Sequence, residues 1–341
     1  MIINKLKKQI TVLIAAAILP SFSSCVHEKY INPFCNDVFQ AEILPEQDVE
    51  KTPRDWLKEI TGVVKRPPYY KYTTDTLHPS ISAECAGIYD VKARKTLFSV
   101  NGDEQVAPAS LTKMVTALVA VKYADPQDVF TVGNEQYSVM KGSSLCYIKI
   151  GQKLTLEQLL IGMLMPSGND AAYTIAVNVA KKAANDPEMT ISDALNYFND
   201  LMNGYCEEIG AYDSHFVNPD GWDEDDHYST ANNLALFATK LLENDLLSDI
   251  VSHHKKRVVF VSGEDVTWTD SNKLLDPKSA YYRENAIGVK TGSTPDAGYC
   301  LIAAEKTNGR LYITVILGCD TRDDSYKDTI TLLQETMCIS E

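Results

Sequence analysis

Ser110-Leu111-Thr112-Lys113 places a hydroxyl and an amine three residues apart at the head of a predicted helix, directly after Pro108-Ala109. On a helix that spacing puts both side chains on one face, so the amine can take the hydroxyl proton. The helix N-terminus adds positive potential and free amide groups where an oxyanion would develop. The spacing alone is not specific. Ser138 to Lys141 and Ser252 to Lys255 repeat it, without the Pro-Ala lead-in or the long amphipathic helix. A helix-capping Ser with an exposed Lys would give the same pattern.

Ser167-Gly168-Asn169 falls between two predicted helices, on a tight loop able to aim side chains into a cleft. There Ser167 would relay a proton and Asn169 would hold both Lys113 and a substrate amide; the purely structural alternative is that Asn169 caps a helix. Ser99-Val100-Asn101 repeats the triplet at a turn. Lys290-Thr291-Gly292 ends the run Ala286-Ile287-Gly288-Val289 and occurs nowhere else in the chain. It suits an edge strand beside a cleft. A fixed ammonium and a hydroxyl bind a substrate carboxylate, and Gly292 removes the side chain that would keep an extended peptide from pairing with the strand. A second cation near Lys113 also disfavours its protonation. Taken alone, the triplet is a strand end before a turn.

These residues need a scaffold, and the chain is long enough to make one. It has 341 residues, 45% hydrophobic and 23% charged, with 17 Gly and 14 Pro, which excludes disordered, collagenous and disulfide-miniprotein classes. The formal net charge of -14 opposes a nucleic-acid partner. The one dense basic run, His253 to Arg257, reads as a solvated strand or loop end.

Strand patterns at Ala86 to Tyr89 and Leu97 to Val100 flank a turn. Helical patterns follow at Ser110 to Tyr123, Leu156 to Met165, Asp170 to Ala184, Ile191 to Ile209 and Ala231 to Glu243. Short β-branched runs return at Val258 to Val261, Asp265 to Thr269, Ala286 to Thr291, Gly298 to Glu305 and Leu311 to Leu317, with Asn308-Gly309 as a hairpin turn, before a last helix from Asp324 to Cys338. Strands, a helical block, then strands imply a mixed α/β fold: one antiparallel sheet whose first and last strands meet, flanked by helices, with a helical subdomain inserted at about 110–255.

Ahead of this domain, placed at 81–341, Lys5, Lys7 and Lys8 precede the apolar run Ile10 to Leu19, and small polar residues lead to Cys25. Residues 1–25 read as an export signal, with Cys25 a candidate for lipidation; Pro-containing residues 26–80 read as a tether. The eight cysteines include no Cys-x-x-Cys pair, so cysteine-held metal is not expected. Cys146, Cys206, Cys300, Cys319 and Cys338 read as buried core thiols.

The three sets occur in a fixed order, each in a fitting local context, and the sequence resembles the serine D-alanyl-D-alanine carboxypeptidases, low-molecular-mass penicillin-binding proteins, over roughly residues 82–335. The resemblance extends to Gly142-Ser143-Ser144, Leu159 to Leu164, Asn169 to Ala172, Phe216 to Gly221, His227 to Ala231 and Ala297 to Leu301. It implies the penicillin-binding and β-lactamase fold. It also implies catalytic roles for Ser110 as nucleophile, Lys113 as base, and Ser167 and Asn169 in leaving-group protonation and alignment. Lys290, Thr291 and Gly292 would form the substrate-binding edge, with Lys290 and Thr291 on the terminal carboxylate, and the amides of Ser110 and Ser293 would form the oxyanion hole.

The implied substrate is a peptidoglycan stem peptide ending in D-Ala-D-Ala, with β-lactams as inhibitors and no metal or organic cofactor. Asn233 departs from the Asp of many relatives. The last predicted helix stands where some members continue into a β-rich domain and an amphipathic membrane helix, so membrane attachment is expected through the N-terminus.

A class A β-lactamase needs an added Glu to activate water, and no Glu-x-x-Leu-Asn follows Ser167; only Glu207 and Glu208 lie at a remotely suitable distance. A penicillin-sensing module without turnover would need a signalling segment. Elsewhere, Asp220 and Asp223 to Asp226 read as a solvated loop rather than a calcium site. His227 reads as ordering the helix start after it, and Tyr281-Tyr282 as packing.

Overall fold

The computed structural model describes residues 79–336, so the leader, Cys25, Cys338 and nearly all of the tether lie outside the described residues. Its centre is a five-stranded antiparallel sheet in the order β2-β1-β9-β8-β7, built from β1 (Cys85–Asp90), β2 (Lys95–Val100), β7 (Ala286–Thr294), β8 (Gly298–Thr307) and β9 (Arg310–Cys319). The first and last strands meet as expected, with Cys85 opposite Leu317 and Asp90 opposite Tyr312. The hairpin turn also falls where expected: Asn308 and Gly309 both adopt positive φ, 52° and 73°, and join Thr307 to Arg310.

Alternation of side chains along the inner strands divides the core in two. Cys300, Ile302 and Ala304 face one side with Ile313, Val315 and Leu317, while Leu301, Ala303, Tyr312 and Ile316 face the other. The second side is covered by the final helix α7 (Arg322–Thr336), through Tyr326, Leu332 and Leu333. Tyr281 stacks on Tyr326 with ring centres 4.7 Å apart, the packing role read for it from sequence.

The first side carries the helical block: α1 (Lys113–Tyr123), α2 (Leu156–Leu164), α3 (Asn169–Ala183), α4 (Ile191–Ile209), α5 (Ala231–Glu243) and α6 (Asp245–Ser252). Every residue of α1 from Lys113 to Ala120 is buried, so this helix forms the centre of the block. α2 starts at a capping box in which Thr155 and Gln158 exchange hydrogen bonds. α6 escapes the sequence reading, being eight residues long and joined to α5 by one residue, Asn244, whose side chain accepts from Leu247 N.

Two two-stranded sheets accompany the central one among the described residues. β3 (Val129–Thr131) pairs with β4 (Lys153–Thr155), and each buries only its middle residue, Phe130 and Leu154. β5 (Lys255–Val259) pairs with β6 (Asp265–Thr269), so the strand expected at Val258 begins three residues earlier and takes in most of the basic run. That run is solvated, as expected, with Arg257 paired to Asp265 at 2.5 Å. Cys85, Cys146, Cys206, Cys300 and Cys319 are buried free thiols.

Candidate active site

Ser110 lies on a 3₁₀ turn, Ala109–Thr112, and α1 begins only at Lys113, a correction to the helix start expected at Ser110. The cause is tertiary. Ala109 is held at φ 49°, and Gly221, itself at φ 87°, presses on its carbonyl so closely that a Cβ on Gly221 would lie 1.8 Å from that oxygen. Only glycine fits there. The turn points Ser110 into a cleft while Lys113 remains wholly buried beneath it.

The Lys113 Nζ donates to Ser110 Oγ at 2.8 Å and to the Asp220 carbonyl at 2.7 Å. Burial lowers the Lys113 pKa to about 8, against the opposing pull of the Asp220 and Asp170 carboxylates. Roughly a tenth of the amine is then neutral at pH 7, against well under a thousandth for an ordinary lysine. The look-alike lysines Lys141 and Lys255 are exposed.

Ser167 sits in the left-handed region at φ 65°, which turns its side chain toward the cleft between α2 and α3. The buried Lys290 on β7 donates to Ser167 Oγ at 2.9 Å and to the Thr291 carbonyl at 3.0 Å. Burial and the neighbouring charge of Lys113 lower the Lys290 pKa, with Asp270 opposing. Burial is the larger cause for both lysines, and each ammonium disfavours protonation of the other. The other triplet, Ser99-Val100-Asn101, is structural, since Asn101 Nδ2 donates to the Glu84 carbonyl at 2.8 Å.

Asn169 is the first residue of α3, and its side chain makes no cap. Its Nδ2 donates to the Asp220 carboxylate, and its Oδ1 is buried without a partner. The expected bond between Asn169 and Lys113 is replaced by a link through Asp220, to which both donate. The next residue, Asp170, accepts from the backbone N–H groups of Cys146 at 2.9 Å and Ile148 at 3.1 Å, and Asn169 N donates to the Ser144 carbonyl at 2.8 Å. These bonds hold the segment around Ser144 as one lip of the cleft.

β7, at the sheet edge, is the opposite lip. A Cβ on Gly292 would lie 3.2 Å from Ser110 N, so a side chain there would press on the turn that carries Ser110. Thr291 and Ser271 share a hydroxyl hydrogen bond of 2.6 Å. The cleft has a volume of about 130 Å³ and is lined by Ser110, Ser144, Ser167, Thr291, Ser293 and Arg322, among others. Arg322 opens α7 and lies over the Tyr299 ring at 5.7 Å. Nothing in its local sequence marked it.

Two polar readings change. Asp220 is buried, 1% exposed, instead of solvated, while Glu224, Asp225 and Asp226 are exposed as expected. Burial arises because Thr116 Oγ1 holds the Pro219 carbonyl at 2.6 Å and draws the loop onto α1. His227 serves the turn that carries Ser110, not the helix after it. Its Nδ1 accepts from Val217 N at 3.1 Å, so Nε2 carries the proton and donates to Thr112 Oγ1 at 2.9 Å. Burial lowers its pKa to about 3 and keeps it neutral. The following helix is capped instead by Thr230, which accepts from Asn233 N.

The sequence profile of peptidase family S11, D-alanyl-D-alanine carboxypeptidase, matches residues 72–321. The D-alanyl-D-alanine carboxypeptidase DacC of Escherichia coli (strain K12) is 31% identical over 265 residues, covering 75% of this chain and 61% of that protein. The D-alanyl-D-alanine carboxypeptidase DacF of Bacillus subtilis (strain 168) is 27% identical over 254 residues, 74% of this chain and 60% of the relative. The chain thus spans about three fifths of the length of these curated relatives. The crystal structure of the Streptomyces K15 DD-transpeptidase superposes with a TM-score of 0.70 at 26% identity, covering 77% of this chain and 100% of that one.

Proposed function

The chain belongs to the D-alanyl-D-alanine carboxypeptidase family, and from that premise we propose that it is a penicillin-sensitive serine DD-carboxypeptidase that removes the terminal D-Ala of peptidoglycan stem peptides. The observation that carries this reading is the 2.8 Å contact between a fully buried, partly neutral Lys113 and the cleft-facing Ser110 hydroxyl. As Ser110 Oγ bonds to the carbonyl carbon of the penultimate D-Ala, Lys113 takes its proton and the amides of Ser110 and Ser293 receive the oxyanion. The C–N bond then breaks. Ser167 passes a proton to the departing nitrogen and takes in its place the one Lys113 removed from Ser110, so Lys113 is neutral again; Lys290 holds Ser167 by its hydrogen bond, and Asn169 aligns the substrate amide. Water then attacks the ester and gives a proton to the neutral Lys113, which passes it to Ser110 Oγ as the C–O bond breaks, freeing Ser110 and the shortened peptide. The scheme calls on no metal or organic cofactor.

Lys290 and Thr291 take the terminal carboxylate, with Arg322 adding a guanidinium in the same cleft. Gly292 leaves room for the substrate backbone along β7. Glu207 and Glu208, the glutamates a β-lactamase reading would need, lie exposed on α4, with Glu208 paired to Lys122. The domain plan of signal, tether and catalytic domain goes with an extracytoplasmic enzyme attached to the envelope at its N-terminus. Fractionation of wild type and Cys25→Ala tests that placement, and identical membrane association of the two counts against a lipid on Cys25.

Intact-mass measurement after incubation with benzylpenicillin, alongside D-Ala release from diacetyl-Lys-D-Ala-D-Ala, tests the reaction. A gain of one penicillin with slow loss, together with D-Ala release, is expected. Rapid penicillin turnover would identify a β-lactamase, and an adduct without D-Ala release a sensor.

Lys290→Ala should lower kcat/KM for the peptide by about 10²-fold or more, since it removes both the charge behind the carboxylate site and the partner of Ser167. Lys141→Ala and Lys255→Ala should leave it within about twofold, because surface substitutions away from the site change little. Equal losses in all three would break the assignment.

A further inference from the structure

Asp220 touches both Lys113 and Asn169, yet the reaction above gives it no part. Its place is tightly fixed. Asn218 Oδ1 accepts from Gly221 N at 2.8 Å, Asn218 Nδ2 donates to the Trp222 carbonyl at 2.9 Å, and Thr116 holds Pro219. A residue clamped on both sides and only 1% exposed cannot turn away from its neighbours.

The backbone carbonyl of Asp220 accepts from Lys113 Nζ, its Oδ2 accepts from Asn169 Nδ2, and its Oδ1 accepts from Trp222 N at 3.3 Å. A carboxylate only accepts, so it can face only the NH₂ end of the Asn169 amide. The other end follows. Asn169 Oδ1, buried and without a hydrogen-bond partner, is left as an acceptor whose natural match is a substrate N–H.

The charge acts on the base as well. Asp220 is the first of the two carboxylates that favour the Lys113 ammonium, the other being Asp170 on α3. Burial raises the pKa of Asp220, while the Lys113 charge and the Trp222 backbone lower it and Glu224 raises it again. Tyr173 on α3, whose pKa is raised by burial and then by Asp220, and Lys290 on β7, lowered by burial and then by Lys113, also face this pair.

We infer that Asp220 is a positioning residue: its carboxylate turns the Asn169 amide so that Oδ1 accepts from a substrate N–H, and its negative charge holds the proton on Lys113, setting the pH at which the base becomes free. The inference rests on the assignment of Lys113 as base for Ser110.

The test follows the rate of penicillin acylation of the full chain between pH 5 and 10, with D-Ala release measured in parallel. In Asp220→Asn, the acid limb should move down by about one pH unit or more, since loss of a nearby opposite charge makes the amine easier to deprotonate. Relative to its own plateau, the variant then acylates about tenfold faster than wild type at the foot of the limb. The plateau kcat/KM for peptide should fall. Asp220→Glu, which keeps the charge, should restore the position of the limb. An Asp220→Asn limb that coincides with wild type overturns the inference.

Carbon-13 NMR of aspartate-labelled wild type decides the matter even if Asp220→Asn does not fold. The Asp220 carboxyl must ionise below the pH at which Lys113 titrates, and one still protonated there overturns the inference. A wild type that forms no adduct at any pH would instead remove the enzymatic reading, leaving the NMR titration to judge Asp220.

Discussion

Replacing Ser110 with alanine should abolish the penicilloyl adduct and bring D-Ala release down to background. Every contact that prepares this hydroxyl is specific to its position. The 3₁₀ turn lifts it into the cleft, Lys113 lies 2.8 Å away, and Gly292 passes close to its backbone N–H. Removal of a serine nucleophile costs on the order of 10⁶ in kcat in serine hydrolases. The fold should survive, because the Lys113 Nζ keeps its bond to the Asp220 carbonyl. Intact mass and peptide mapping check both points. A penicilloyl group that remains, for example on Ser144 or Ser167 in the same cleft, would show that another hydroxyl is the nucleophile.

Lys113→Met should have the next largest effect, a fall in acylation of about 10² to 10⁴, the usual contribution of a positioned general base. Methionine nearly fills the volume of the buried side chain, so the loss reports chemistry more than packing. The pH profile supplies the sharper readout. With the Lys113 pKa lowered to about 8, the amine is mostly protonated at neutral pH, and wild-type acylation should rise as pH passes through about 8. Deprotonation creates the base, so the limb ascends. In Lys113→Met the residual rate should lose that limb; a variant that kept it would place the titrating base elsewhere.

The three segments that meet at the cleft were legible because each depends on spacing along one stretch of chain. Ser110 and Lys113 are a turn apart, and Lys290 to Gly292 fall within one strand. The alternating strands and the Asn308-Gly309 turn were legible for the same reason. What escaped depends on contacts between distant segments. Asp220 lies 107 positions from Lys113, and in sequence it is one acid among several in a polar loop, so nothing local shows that Thr116 pulls its neighbour into the core. The displaced helix start has the same origin, since the Ala109 backbone is set by Gly221. His227 and Arg322 likewise gain their places from Thr112 and from the Tyr299 ring. The misplaced β5 and the missed α6 have a simpler cause, being too short or too exposed for periodicity to mark.

The pairing of β1 with β9 has a consequence for synthesis. A chain made from its N-terminus finishes β1 and β2 early, but β1 waits for a partner more than two hundred residues downstream. The helical block, whose contacts are mostly nearer in sequence, can gather around α1 in the meantime. β7 reaches β9 only through β8, so the lip that carries Lys290 joins the sheet among the last pieces to emerge. Until then Ser110 and Lys113 stand beside half a cleft. Labelled penicillin would therefore count finished molecules and pass over nascent ones.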